Sequence, residues 1–108
     1  MRKEKSTNAI NENLLHTFCN AHKNLSQITG RWKVSLIFSL KENAKSYTAL
    51  KAAIPNITDR ILTKQLKELQ SDLIVQNEKD KYQSTYNLSP KGKKILVLLE
   101  FMNQLDLS

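Results

Sequence analysis

Arg60, Thr63, Lys64 and Lys67 fall at i, i+3, i+4 and i+7, a spacing that puts all four on one face of a helix. A guanidinium offers paired donors that match the O6 and N7 acceptors of guanine, while an ammonium neutralises phosphate. Two more cations, Lys79 and Lys81, follow further along the chain. The whole sequence carries 17 Lys and Arg against 10 Asp and Glu, a formal charge of +7. That surplus favours a polyanionic partner. A cationic helix face is also what an ordinary solvated helix presents, so the surrounding elements must decide between the two.

Other candidate chemistry is sparse. Cys19 is the one cysteine, which excludes an internal disulfide framework and suits a reducing, cytoplasmic setting. On a helix His16 would stand three residues before it, with His22 and Lys23 three and four after, and a nearby cation stabilises thiolate. Two readings stay open for Cys19: a redox or electrophile switch, and a buried structural thiol. His16, Cys19 and His22 would span about 120° of helical arc with no fourth ligand placed to complete a tetrahedron, so no metal site is expected. With 2 glycines the chain has no phosphate-binding loop, and it has neither a nucleophile elbow nor an evident carboxylate pair. No catalysis and no cofactor are expected. No apolar run reaches the length of a signal peptide or a membrane span, so no membrane association is expected.

The 108 residues fit one domain. Residues 1–7 are polar and are expected to form a flexible tail. From residue 8 to 25, Ile10, Leu14, Phe18, Ala21 and Leu25 recur at helical steps. A second, buried helix is predicted from Trp32 to Leu40, followed by a polar connection, Lys41 to Lys45. A third helix begins at Ser46, a natural N-cap, and stops at Ile54 because a residue before proline is pushed out of the α region. Pro55-Asn56 is a turn. A fourth helix starts at Thr58, carries Ile57, Ile61, Leu62, Leu66 and Leu69 on its inner side, and ends near Ser71-Asp72. Leu73 to Val75 and Tyr82 to Leu88 then read as strands about a charged tip, Glu78 to Lys81. Ser89-Pro90 opens a last helix over 90–106.

Two helices joined by a turn and followed by a hairpin predict a mostly α fold with a small β-hairpin wing, the winged helix-turn-helix. There the helix after the turn enters the major groove and the hairpin follows the backbone or minor groove. This context favours double-stranded DNA as the partner of the cationic face. The expected DNA-binding residues are Ser46, Thr58, Arg60, Thr63, Lys64, Lys67, Lys79 and Lys81.

The last helix is apolar on more than one side. Ile95, Leu98, Leu99, Met102 and Leu105 are expected to cover the core, leaving Val97 and Phe101 to find another partner. With Leu14 and Phe18 of the first helix, they predict an isologous homodimer interface built from helices 8–25 and 90–106. A monomer whose terminal helices pack on each other is the alternative. Two-fold symmetry would set two reading helices about 34 Å apart.

Taken in order, Cys19, Ile28-Thr29-Gly30-Arg31-Trp32-Lys33, Ile54 to Thr63, Leu66-Lys67-Glu68-Leu69, Leu73-Ile74, Tyr86-Asn87-Leu88-Ser89 and Gly92 make a recognisable series. It resembles the HxlR-type transcriptional regulators, a winged-helix family related in architecture to the MarR-like proteins. The resemblance implies a homodimer on a pseudo-palindromic operator that represses or activates nearby genes, repression being expected here. It also implies, as in some members, a thiol switch at Cys19. The family's Asp-Gly-Leu before the first strand is set against Ser71-Asp72-Leu73, so the turn lacks its glycine. The family's proline-arginine stretch in the hairpin is absent. A winged-helix protein-interaction module and a nonspecific nucleic-acid binder are the competing functions. No residue set names a small-molecule effector.

Overall fold

The computed structural model describes residues 18–105. Helix α1 covers 18–28 of these, three residues beyond the predicted end, so that Ile28 (4% exposed) reaches the core. The predicted tail and the positions Ile10, Leu14 and His16 lie outside the described residues. Helix α2, Arg31–Ser39, is the central one: Leu36 and Ile37 are fully buried, with Trp32, Val34 and Phe38 packed around them.

The connection after α2 differs from expectation. Lys45–Ser46 form a short strand, β1, paired antiparallel with Tyr86 and Thr85. Two residues cannot display an alternating pattern, and the pairing is fixed by a partner distant in sequence. Helix α3, Tyr47–Ala53, follows at once, with the Ser46 hydroxyl accepting from the Ala49 amide at 3.1 Å. Ile54 is extended (φ −114°, ψ 106°), and Asn56 makes the turn in the left-handed region (φ 67°), which asparagine tolerates better than most residues. Helix α4, Asp59–Ser71, is capped by Thr58, whose hydroxyl accepts from the Ile61 amide at 3.2 Å. Leu62, Leu66 and Leu69 are its buried stripe.

The hairpin is displaced from its predicted position. Strand β2 is Val75–Lys79 and β3 is Ser84–Leu88, giving a three-stranded sheet of order β1-β3-β2. Leu73, predicted as strand, instead sits in the turn after α4 with φ 63°, and Glu78 and Lys79 belong to β2, not the tip. Asp80 builds the tip: its Oδ1 accepts from the amides of Tyr82 and Gln83, both at 2.7 Å, while its own amide donates to the Gln83 carbonyl at 2.9 Å. These backbone donors hold the Asp80 carboxyl below its ordinary range.

The left-handed residue also corrects the register of the Asp-Gly-Leu comparison by one. Asp72 has an ordinary right-handed backbone (φ −85°), so the position that calls for glycine is Leu73. A leucine there bears a conformational cost of roughly 1–2 kcal/mol, and its side chain is 70% exposed, so burial returns little. Leu73→Gly is therefore expected to raise stability by about 0.5–1 kcal/mol, the relief being partly offset by the freer unfolded chain. A urea melt showing an unchanged or lowered midpoint would mean that the exposed leucine packs more usefully than its accessibility suggests.

Helix α5, Pro90–Gln104, starts at a tight junction. The buried Ser89 hydroxyl accepts from the Gly92 amide at 3.0 Å and lies 2.6 and 3.0 Å from the carbonyls of Leu73 and Ile74, to which it donates. Gly92 packs directly on the Ile74 carbonyl, where a Cβ would overlap the oxygen. That seat fixes the rotation of α5. Gly92, Leu96 and Leu99 face the core, and Ile95 is partly buried. Leu98, Met102 and Leu105, predicted to cover the core, remain about half exposed, because each helical step turns about 100° and the Gly92 stripe occupies the inner side.

Candidate nucleic-acid interface

Helices α3 and α4 with the 54–58 turn form the helix-turn-helix, and β2 and β3 form the wing. On α4 the core stripe is turned inward, and Arg60, Thr63, Lys64 and Lys67 are all exposed on the outer side. Three lysines elsewhere are held in ion pairs. Lys33 pairs with Glu68 at 3.5 Å, Lys41 with Glu100 at 2.6 Å and Lys51 with Asp59 at 2.9 Å. Among the described residues, Arg60, Lys64, Lys67, Lys79 and Lys81 form no ion pair. Their charge is available to an external anion.

Ser46 and Thr58 serve as the helix caps already described. Lys79 closes β2, and Lys81 lies in the tip with its ammonium 5.8 Å from the centre of the Tyr82 ring. Tyr82 itself is 87% exposed, an aromatic at the end of the wing that charge-based reasoning passes over.

Sequence reasoning also missed the clasp between the two helices. Tyr47 and Lys51, one turn apart on α3, converge on Asp59 in the first turn of α4. The Tyr47 hydroxyl donates to Asp59 Oδ1 at 2.9 Å and lies 3.4 Å from Thr63 Oγ1. The Lys51 ammonium reaches the same Oδ1. Lys51 first, then Tyr47, holds the Asp59 carboxyl below its ordinary range, and Asp59 in turn raises the Lys51 ammonium. The i, i+4 spacing of Tyr47 and Lys51 was legible; that Asp59 would meet them across the turn depends on the angle between the helices.

Phe18 of α1 and Val97 and Phe101 of α5 are more than half exposed; Leu14 lies outside the described residues. An open groove of about 560 Å³ runs between these helices, walled by Leu25, Ile28, Ile95, Leu98 and Met102. Cys19 is an exposed free thiol on α1. No described helix is long and apolar enough to cross a membrane.

The matched order of elements and spacing is that of a known family: its model, described as HxlR-like helix-turn-helix, matches residues 27–107. The chain belongs to the HxlR-like family. This HxlR-like chain is 35% identical over 82 residues to the uncharacterized HTH-type transcriptional regulator YdzF of Bacillus subtilis (strain 168), across 72% of its own length and 75% of the relative's. A MarR-family protein from Enterococcus faecalis V583 shares its fold with a TM-score of 0.75 and 31% identity, covering 79% of this chain and 80% of that one. The redox regulator HypR in its reduced form superposes with a TM-score of 0.73 at 28% identity, covering 79% and 87%. The winged helix-turn-helix architecture, MarR-like in form, is thereby established. The HxlR-like chain is a transcriptional regulator with a helix-turn-helix DNA-binding domain.

Proposed function

We propose that this regulator is a homodimeric repressor that reads a pseudo-palindromic operator through α4, steadies itself on the backbone through Lys79 and Lys81, and carries a thiol switch at Cys19. The observation that carries the reading is the exposed face of Arg60, Thr63, Lys64 and Lys67 on the helix that follows the turn, whose cations form no ion pair among the described residues. Dimerisation is supported by the large apolar side chains left exposed on α1 and α5, since exposed apolar patches mark association surfaces. The switch is supported by the exposure of the Cys19 thiol on α1, and by likeness to a redox regulator. Repression is the expected outcome where the operator overlaps a promoter, because a dimer seated there would exclude other proteins.

The test is fluorescence anisotropy of the reduced protein against DNA upstream of its own gene, beside a scrambled duplex, at near-physiological salt. Sequence-dependent binding is expected. Arg60→Ala should lower discrimination between operator bases by about 1–3 kcal/mol if its contact is bidentate. A mild thiol oxidant should weaken binding of the wild type and leave Cys19→Ser unaffected. Discrimination untouched by Arg60→Ala would remove α4 from the reading role, and equal sensitivity of wild type and Cys19→Ser to oxidant would remove the switch.

A further inference from the structure

Asp59 stands one residue before Arg60 and four before Thr63, at the end of α4 where a reading helix makes its base contacts. Its two carboxylate oxygens differ. Oδ1 receives both the Tyr47 hydroxyl and the Lys51 ammonium, each at 2.9 Å. Oδ2 has no hydrogen-bond or ion-pair partner among the described residues, and the side chain is 67% exposed. Both donors come from α3, and the Tyr47 ring is half-buried against the core, so the carboxylate is held in one orientation from behind. Lys51 also offsets its charge, which lessens the repulsion that a bare carboxylate would meet beside phosphates.

We propose that Asp59 is a base-reading residue of the α4 surface: its free Oδ2, aimed by Tyr47 and Lys51, accepts a hydrogen bond from the N4 amino group of a cytosine in the major groove. The assignment rests on the DNA-reading role of α4 proposed above. An ionised carboxylate only accepts hydrogen bonds. In the major groove, guanine and thymine present acceptors, O6 with N7 and O4, and so repel it. Adenine offers its N6 donor beside the N7 acceptor on the same edge, whereas cytosine has a C–H next to N4. Cytosine is therefore preferred. Tyr47 and Lys51 are positioning residues; a purely structural clasp would affect stability and overall affinity but would leave base preference unchanged.

The experiment is selection from a pool of duplexes with a randomised central segment, using the full chain as wild type, Asp59→Asn and Tyr47→Phe, with folding checked by circular dichroism. In Asp59→Asn the amide carbonyl can still accept from Tyr47 and Lys51, which puts an N–H donor where Oδ2 stood. At one position in each half-site the wild-type preference for cytosine should give way to guanine or thymine, a shift on the order of tenfold in single-substitution duplexes. Tyr47→Phe should weaken discrimination at that position alone. If Asp59→Asn and wild type enrich the same bases everywhere, the proposal is overturned while the role of α4 stands. If the wild type enriches nothing, sequence reading by α4 is overturned and this proposal with it.

Discussion

Gly92→Ala is expected to destabilise the protein by about 2–3 kcal/mol, a large part of the roughly 5–15 kcal/mol that holds a typical domain folded. On an exposed helix the same change would gain about 1 kcal/mol in helix propensity. Here the added Cβ would occupy the position of the Ile74 carbonyl oxygen, and that oxygen cannot retreat freely. It already accepts the Ser89 amide at 3.0 Å and lies within reach of the Ser89 hydroxyl. Lifting α5 away would loosen Leu96 and Leu99 from the core and strain the cap at Ser89. Urea unfolding followed by circular dichroism measures the loss, with the exposed neighbour Lys93→Ala as a control expected within about 0.5 kcal/mol of wild type. A Gly92→Ala protein as stable as wild type would mean that α5 can slide outward at little cost.

Reversing charge at Arg60 and Lys64 together is expected to have the largest effect on function. Each reversal removes an attraction to DNA and adds a repulsion, so the double change to Glu should weaken binding by a factor on the order of 10³ near 0.1 M salt. The slope of log affinity against log salt should become shallower by about 0.9 for each phosphate that is no longer neutralised. Both side chains are exposed and form no ion pair among the described residues, so the melting temperature should hardly move. That contrast separates a damaged interface from a damaged fold. Unchanged DNA affinity would favour the protein-interaction alternative, because the fold alone does not fix the function.

The features legible in the sequence were those written in local spacing. The buried stripe of α4, its Thr58 cap, the stop at Ile54 and the proline start of α5 each depend on residues within a turn or two. What escaped was set by packing between distant segments. β1 exists because Lys45 and Ser46 find Tyr86 and Thr85. The outward turn of Leu98 and Met102 follows from Gly92 seating on Ile74, which no periodicity in α5 discloses, since its apolar residues nearly encircle it. The cationic face of α4 could be named from spacing alone, whereas the Tyr47, Lys51 and Asp59 clasp required the crossing of two helices.

The junction at Ser89 has a mechanical consequence. It binds the turn at the end of α4, the start of the wing and the first turn of α5 into one knot, and α5 extends from it for about 22 Å. In the proposed dimer, where the outer faces of α5 contribute to the two-fold interface, the helix is the arm of a lever with its fulcrum at this knot. A tilt of about 10° there would move the far end by about 4 Å, comparable to the rise of one base pair of DNA at about 3.4 Å. The distance between the two reading helices, and so the half-site spacing the dimer accepts, would be geared to how firmly one glycine sits against one carbonyl.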